Sequence, residues 1–260
     1  MCAMKLALVG TGQMGQAVEA LVAERGHEIG ARFNSELALN DSDPSALEDV
    51  DVAIDFSLPS LAATHIERYC QWGLPAVIGT TGWYEHLREV ERWVDEYDAS
   101  ILYAPNFSLG VAVVVRALKA IIPLLDQLPE YDPFVHEVHH VRKVDSPSGT
   151  ASMIADLLVN GLSRKKRIET EAQHGRIDEA ALHVTSTRVG EVFGRHVIGF
   201  DSAFDCIELI HEAKNRHGFA FGAIRAAEWL KGRKGLFSLE DVVADWLGRQ
   251  ASAVSRPNES

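Results

Sequence analysis

The chain has little of what marks several large classes of protein. It holds three cysteines, Cys2, Cys70 and Cys206, far apart in 260 residues. Their odd number and wide spacing exclude a disulfide framework and form no metal-ligand pattern, which points to a reducing compartment, the cytoplasm. Cationic excess is also missing: 25 Lys and Arg against 37 Asp and Glu leave a formal net charge of -12. That balance argues against wholesale binding to nucleic acid or to an anionic membrane, while permitting a local basic site. No run approaches the roughly 18 apolar residues of a membrane helix. The apolar stretch before Gly10 is too short for a secretory signal, and no internal repeat is present. The expectation is a soluble cytoplasmic protein with no nucleic-acid or membrane partner. At 47% apolar residues, it can build a real core in one large domain or two modest ones.

What is there begins with alternation. Lys5 to Gly10 is a short apolar run ending in glycine, a buried-strand signal. TGQMGQAVEALVAERG then reads as a helix closed by Gly26. Further strands are expected at 27–33, 51–57, 74–79 and 100–104. Between them lie a helix from Ser60 to Trp72 closed by Gly73, and a polar helical stretch to about Asp98. Such alternation predicts a parallel, doubly wound sheet of Rossmann type, whose ligands lie at the carboxyl ends of the strands. Those ends read GTGQMG, DFS, GTTG and APNF, rich in the small residues that let a ligand approach the backbone.

Gly10-Thr11-Gly12-Gln13-Met14-Gly15 is the dinucleotide fingerprint in its proper setting, strand before and helix after. Gly10 permits the tight turn, Gly12 lets the backbone approach a pyrophosphate, and Gly15 lets helix pack on strand. The helix start then offers N–H groups and a positive dipole end to the phosphates. About 20 residues on, an acidic residue ordinarily binds the ribose 2′-OH. This chain has Asn34 there, with Arg32 before it and Glu36 after it. Either Glu36 takes that role or the site is not tuned for NADH alone. The expected cofactor is NADPH, NADH or both.

The second half reads differently. Ser108 to about Asp126 is a long apolar helix. FVHEVHHV, LHVTSTRV, HVIGF and FDCIELIHEA follow as strands, with one helix among them at 148–162. The pattern predicts a smaller α+β domain with an open mixed or antiparallel sheet. Helices at 218–231 and 238–247 close the chain. RKKR, residues 164–167, reads as a solvated loop in an acidic protein.

EVHHVRKVDSPSGTA, residues 137–151, gathers proton carriers and cations directly before a helix start. His136-Glu137-Val138-His139-His140 matches the HExxH pattern of zinc hydrolases, but that pattern needs a helix. Pro133 and the valines at 135, 138, 141 and 144 favour a strand. Residues four apart on a strand lie roughly 13 Å apart, too far to share one zinc; no metal is expected. On a regular strand Glu137, His139, Val141 and Lys143 share a face, with His140 turning toward the same site at the strand's end. Ser148 then caps a helix whose Gly149 and Thr150 N–H groups can hold a carboxylate. Joined to a dinucleotide domain, this is where a hydride and a proton would meet a small anionic substrate.

This stretch resembles the signature E-x-H-H-x-x-K-x-D-x-P-S-G-T-A of the 4-hydroxy-tetrahydrodipicolinate reductase (dihydrodipicolinate reductase) family of lysine and diaminopimelate biosynthesis. The resemblance runs through nearly the whole chain, in DFS, GTTG, APNFSLGV, RVGEVFGRH and HEAKNRHGFAFGAIRAAEWL. Two departures are a glycine loop shorter than in many members and Asn34 in place of their common acidic residue. The resemblance implies a dinucleotide domain, 1–107, with 217–260 folded back onto it. It also implies a substrate domain, 108–216, that builds a homotetramer. The implied reaction is reduction of 4-hydroxy-tetrahydrodipicolinate, a small dicarboxylate, to tetrahydrodipicolinate with loss of water. By position, His139 is the general acid/base and Lys143 the proton donor, while His140, Gly149 and Thr150 bind the substrate carboxylates. Gly79, Thr80, Thr81 and Ala104, Pro105, Asn106 and Phe107 contact the nicotinamide side of the cofactor. A ring nitrogen beside Lys143 is pushed toward its neutral form, which leaves open which of the two delivers the proton. A nucleotide sensor without chemistry would not need His139 and Lys143 beside an anion site. Another two-domain amino-acid dehydrogenase is the nearer rival, separable by substrate screening.

Overall fold

The computed structural model describes residues 3–254, so Cys2 and the last six residues lie outside it. The chain forms two compact units, Met1–Leu109 with Arg216–Ser260, and Gly110–Asn215.

In the first unit the apolar runs become strands and the glycine-closed stretches become helices. The strands are β1 (Lys5–Val9), β2 (Glu28–Phe33), β3 (Val52–Asp55), β4 (Ala76–Ile78) and β5 (Ser100–Tyr103). Between them lie α1 (Gln13–Val22), α2 (Pro59–Gln71) and α3 (Leu87–Glu96). Gly26, at φ +76°, ends the short 3₁₀ turn that prolongs α1. Every strand pairing in this sheet is parallel. Successive residues of β1 face opposite sides. Leu8 reaches toward Gly15 of α1, while Ala7 and Val9 enter a core with Ala62 and Ile66 of α2 and Val90 of α3. The sheet is therefore covered on both faces, as a doubly wound fold requires.

After α1 and β2, the C-terminal part of the chain returns to this unit as α6 (His217–Leu230), β11 (Gly235–Ser238) and α7 (Leu239–Val254). The strand order is β11-β5-β4-β3-β1-β2. The chain steps from β1 outward to β2, then back to β3 on the other side of β1. The switch point of the sheet thus lies between β1 and β3, where ligands of such folds bind. β11 was not expected. GLFS is too short to show a period, and it becomes a strand because the edge of β5 offers it a parallel ladder from Ser100 to Tyr103.

The second unit holds α4 (Leu109–Asp126, of which Leu109 belongs to the first), β6 (Asp132–His139), α5 (Gly149–Gly161), β7 (Arg167–Glu169), β8 (Ala181–Arg188), β9 (Arg195–Asp201) and β10 (Cys206–Glu212). Its sheet, ordered β10-β9-β6-β8-β7, is mixed: β6 runs parallel to β8 and antiparallel to β9. Leu118 and Ile122 of α4 and Ile154 and Leu158 of α5 share a core with Val135, Leu182, Ile198 and Phe200. Gly161 lets the two helices approach, since a Cβ there would lie 2.5 Å from Ile122 Cγ2.

Two expectations fail in this unit. β6 stops at His139, so Val141 and Lys143 do not continue its face. The ladder is broken because the backbone N–H groups of His140 and Val141 turn to the carbonyls of Val192 and Gly190. The basic run 164–167 is not a solvated loop either. Lys165 is 2% exposed; its Nζ donates to the carbonyls of Glu179 and Ala181 at 2.9 and 2.8 Å and pairs with Asp132 at 2.6 Å. Arg164 donates to the carbonyls of Leu125 and Tyr131, and Arg167 opens β7. Composition counts charges; it does not see backbone acceptors that need donors. Among the described residues no helix is long and apolar enough to cross a membrane.

Candidate active site

In the first unit the strand-end motifs converge on Phe56, a residue the sequence reading did not single out. Gly10, at φ +89°, lies so close to β3 that a Cβ would sit 2.3 Å from the Phe56 carbonyl oxygen. A Cβ at Gly79 would strike the Phe56 ring at 2.0 Å, and the Phe107 ring meets Phe56 edge-on at 6.2 Å. Glycine is thus required at both positions by close approach. Gly15 is fixed in the same way, its absent Cβ falling 2.1 Å from the Gly10 carbonyl oxygen.

Gly12 differs. A Cβ there would meet nothing within 4 Å, and α1 begins at Gly12 without a side-chain cap. Open space in front of uncapped N–H groups suits a pyrophosphate. Thr11, Gln13 and Met14 border that start. The residues present therefore fit a dinucleotide.

Beside the GTTG and DFS strand ends lies a buried polar cluster. The Asp55 carboxylate accepts from Tyr69 Oη at 2.8 Å and from the Ser57 N–H at 2.9 Å, and it lies 2.9 Å from His65 Nδ1. Thr80 Oγ1 reaches Asp55 and the Ser57 carbonyl at 3.4 and 3.3 Å, which ties the GTTG loop to the DFS strand end. Thr81 is exposed beside it. Ala104 and Phe107 are buried, Pro105 is exposed, and Asn106 Oδ1 accepts from the Ser108 N–H.

At the end of β2, Asn34 Oδ1 accepts from the N–H groups of Glu36 and Leu37. Its amide nitrogen is then the group it can offer a ligand. Arg32 pairs with Glu19 at 2.6 Å on the surface. The carboxylate of Glu36 is exposed.

In the second unit the buried face of β6 carries Val135, Glu137 and His139 in succession. Glu137 is fully buried. Its Oε1 accepts from the Ser148 N–H at 3.0 Å, Ser186 Oγ at 2.8 Å and Arg188 Nη2 at 2.9 Å. Its Oε2 lies 3.3 Å from His139 Nδ1 and 3.6 Å from His196 Nε2. Burial alone would raise this carboxyl, but the hydrogen bonds from His139, Ser148, Ser186 and Arg188 outweigh it and hold Glu137 far below the usual range. His196, opposite Glu137 on β9, is pushed down to about 4 by burial, with the neighbouring His139 adding to the effect.

The turn after β6 brings Lys143 to Asp145, with Nζ 2.7 and 3.0 Å from the two carboxylate oxygens. Burial pushes Asp145 up, but Lys143 and the N–H of Gly149 hold it below its ordinary value. α5 starts at Gly149 with Ser148 as its cap: Ser148 Oγ accepts from the Ala151 N–H at 3.2 Å. A Cβ at Gly149 would meet nothing within 4 Å, so this helix start is open. Thr150 lies in its first turn, and His140, half-buried, follows His139. His139, His140, Lys143, Gly149 and Thr150 all belong to this one segment, linked by Glu137 and Asp145.

Glu137, His139 and His196 also present three ligand atoms within 4.8 Å of one another, a set distinct from the HExxH spacing, which runs from His136 along β6 to His140 just past its end. The Arg188 guanidinium bonded to Glu137 opposes a divalent cation there, and three donors already occupy Oε1. The donor chemistry is that of an acid/base network. The sequence reading placed Glu137 beside His139 but gave it no role, and it missed His196, Arg188, Ser186 and Asp55. Strand alternation could have flagged Glu137. The others come from distant elements and carry no local signal.

Two family models cover almost all of this chain: dihydrodipicolinate reductase, N-terminus, at residues 4–107, and dihydrodipicolinate reductase, C-terminus, at residues 110–243. The chain is 35% identical over 242 residues to the 4-hydroxy-tetrahydrodipicolinate reductase of Christiangramia forsetii, covering 93% of this chain and 98% of that one. It is also 35% identical over 253 residues to the enzyme of that name from Natronomonas pharaonis, covering 92% and 100%. Among solved structures it is similar in fold to a dipicolinate-bound dihydrodipicolinate reductase from Paenisporosarcina sp. TG-14, with a TM-score of 0.76 at 20% identity over 93% of this chain and all of that one.

Proposed function

The chain belongs to the dihydrodipicolinate reductase family, and on that premise we propose how its own residues carry the reaction. It is an NAD(P)H-dependent reductase that converts 4-hydroxy-tetrahydrodipicolinate to tetrahydrodipicolinate, with loss of water, in lysine and diaminopimelate biosynthesis. Residues 1–107 and 217–260 form the dinucleotide domain and 108–216 the substrate domain.

A bound nicotinamide dinucleotide supplies the hydride. Gly10 to Gly15 and the α1 N-terminus hold its pyrophosphate, and Asn34 faces its adenosine ribose. Gly79, Thr80 and Thr81, with Ala104 to Phe107, take the nicotinamide side, braced by Asp55 through Thr80. Gly149, Thr150 and His140 receive the substrate carboxylates at the start of α5. Hydride addition to the unsaturated ring builds negative charge on carbon or nitrogen. The Lys143 ammonium stabilises that charge and delivers a proton, and His139 exchanges protons with the reacting group. The observation that carries this reading is the Glu137 carboxylate, which binds the α5 start through Ser148 N–H and faces His139 Nδ1. One buried group thereby couples an anion site to an acid/base.

NADPH is used at least as well as NADH. The neutral Asn34, its amide oxygen already engaged by the N–H groups of Glu36 and Leu37, removes the repulsion a carboxylate would exert on a 2′-phosphate. The protein acts in the cytoplasm as a homotetramer. The open edge of the second sheet supports an assembly: on β10, Ile207 and Ile210 are exposed, and Phe204 beside it is 87% exposed.

The test is a coupled assay. Pyruvate and aspartate semialdehyde are condensed by a synthase, and nicotinamide absorbance is followed on adding this protein. Synthase-dependent oxidation of the reduced cofactor is the expected result. No oxidation, alongside turnover of free amino acids, would overturn the reading in favour of an amino-acid dehydrogenase.

A further inference from the structure

We propose that Glu137 is a positioning residue for the reaction: it fixes the tautomer of His139 through one oxygen and the start of α5 through the other. This rests on the assignment of His139 to proton transfer.

A buried carboxylate is strongly destabilising unless it is fully engaged. Glu137 is engaged on Oε1 by three donors from two elements: Ser148 at the start of α5, and Ser186 and Arg188 on β8. Those three fix the carboxylate plane. The second oxygen, Oε2, and His139 Nδ1 are both buried and have no other hydrogen-bond partner among the described residues. They face each other at 3.3 Å. Two orphaned buried atoms satisfy each other only if Nδ1 carries the hydrogen and Oε2 accepts it.

That choice leaves Nε2 as the basic nitrogen of a neutral ring. Space is kept in front of it. Gly194, at φ +155°, is where a Cβ would come within 2.9 Å of His139 Nε2. When Nε2 takes a proton, the Glu137 charge stabilises the imidazolium; when it gives one up, Nδ1 stays held. Other groups around the ring do not replace this charge. Arg188 on β8 and Lys143 on the following turn are cations, His196 and His211 lie beyond on β9 and β10, and His140 is the next residue in the chain. Asp145 is an anion but is engaged by Lys143. His196, 5.2 Å from His139 between ring centres, also sits 3.2 Å from Ser148 Oγ. Burial keeps it neutral, a spacer rather than a counter-charge.

Because Oε1 holds the Ser148 N–H, the same carboxylate sets the distance between the acid/base and the anion-binding helix start. A shift of either would be felt at both.

The experiment has two arms. In the unmodified protein, ¹⁵N-histidine NMR reads the tautomer of His139, with the signal assigned by its loss in His139→Ala. The Nδ1–H form is expected, and an Nε2–H ring at neutral pH would overturn the proposal whatever the variants do. In the second arm, Glu137→Gln is compared with Ser186→Ala, which removes one donor to Oε1 but leaves the charge. Glu137→Gln is expected to lower kcat about 100-fold. It should also move the acid limb of kcat/KM to lower pH, since the imidazolium loses its counter-charge, while the dissociation constant for the nucleotide stays unchanged. Ser186→Ala should leave the limb in place. A kcat/KM profile merely scaled down by Glu137→Gln would mean a structural role only and overturn the proposal. His139→Ala separates the two levels: undiminished turnover in that variant would overturn the assignment of His139 and this inference with it. Lost turnover there, with an unmoved limb in Glu137→Gln, would overturn this inference alone.

Discussion

Lys143 and Asp145, two residues apart on the turn after β6, form a bidentate ion pair with Nζ 2.7 and 3.0 Å from the two carboxylate oxygens. Asp145 is also held by the N–H of Gly149 at the start of α5. The Lys143 ammonium and the start of α5 are therefore linked by one carboxylate.

Lys143→Ala and His139→Ala should each reduce turnover by about 10²- to 10⁴-fold, the usual effect of removing one positioned proton-transfer group. Both residues belong to the second unit, whereas the glycine loop belongs to the first. Nucleotide affinity, read by fluorescence titration, should remain near that of the unmodified protein. A parallel fall in affinity and rate would place these residues in the cofactor site instead. Prolonged treatment with a chelator should leave activity intact; loss that zinc restores would make a metal ligand set of Glu137, His139 and His196.

Gly149→Pro probes the helix start without breaking the helix. Proline is tolerated at the first helical position, and Ser148 already holds the extended conformation that a following proline demands, φ -67° and ψ 155°. The variant removes the Gly149 N–H, which Asp145 accepts here and which a substrate carboxylate would have to take over. The substrate KM should rise several-fold with little change in kcat, and Thr150→Val should act in the same direction. Pyridine-2,6-dicarboxylate should compete with substrate and bind these variants less well. An unchanged KM in folded protein would count against a carboxylate site at α5.

Asn34→Glu should shift the ratio of kcat/KM toward NADH by about tenfold, or about 1.4 kcal/mol. The new carboxylate would accept from the ribose hydroxyls and repel a 2′-phosphate. Steady-state kinetics with both nucleotides gives the ratio. If the unmodified protein greatly prefers NADH, Glu36 or another group already supplies the discrimination.

Stability should fall as pH drops from about 6.5 toward 4. His196 has an ordinary value of 6.5 and a folded value of about 4. Between those values the unfolded chain binds the proton and the folded chain does not, so acid favours unfolding. Glu137 adds to the loss further down, below its ordinary value of 4.5, because its folded carboxyl resists protonation. Urea denaturation across this range should show a slope that His196→Gln reduces, by on the order of 2–3 kcal/mol between its ends. An unaltered slope would mean that other groups govern the acid limb.

Lys165→Met should destabilise the second unit by roughly 2–4 kcal/mol, since the carbonyls of Glu179 and Ala181 lose their charged donor. Lys166→Met, one residue on and exposed, should stay within about 0.5 kcal/mol. Equal effects measured by chemical denaturation would restore the reading of the run as a solvated loop.

Local periodicity by itself determined much of the first unit: five of its six strands, the helices closed by Gly26 and Gly73, and the glycine loop at Gly10–Gly15. Each is written in a window of about ten residues, where apolar period and helix-ending glycines speak directly. The 137–151 stretch likewise announced a strand, a capped helix and clustered proton carriers, and its likeness to a reductase signature identified the family. Other features were decided only by tertiary structure, because they depend on partners far away in the chain. GLFS becomes β11 because β5 has a free edge to pair with. Lys165 is buried because Glu179 and Ala181 present carbonyls to it. β6 ends at His139 because the segment around Gly190 and Val192 captures the next two N–H groups. Glu137 acquires its place from Ser148, Ser186, Arg188 and His196, up to 59 residues away in the sequence. Hydrogen-bond satisfaction of buried groups is a property of the folded whole, and for Ser186, Arg188 and His196 around Glu137 no local window of sequence contains both halves of the contact.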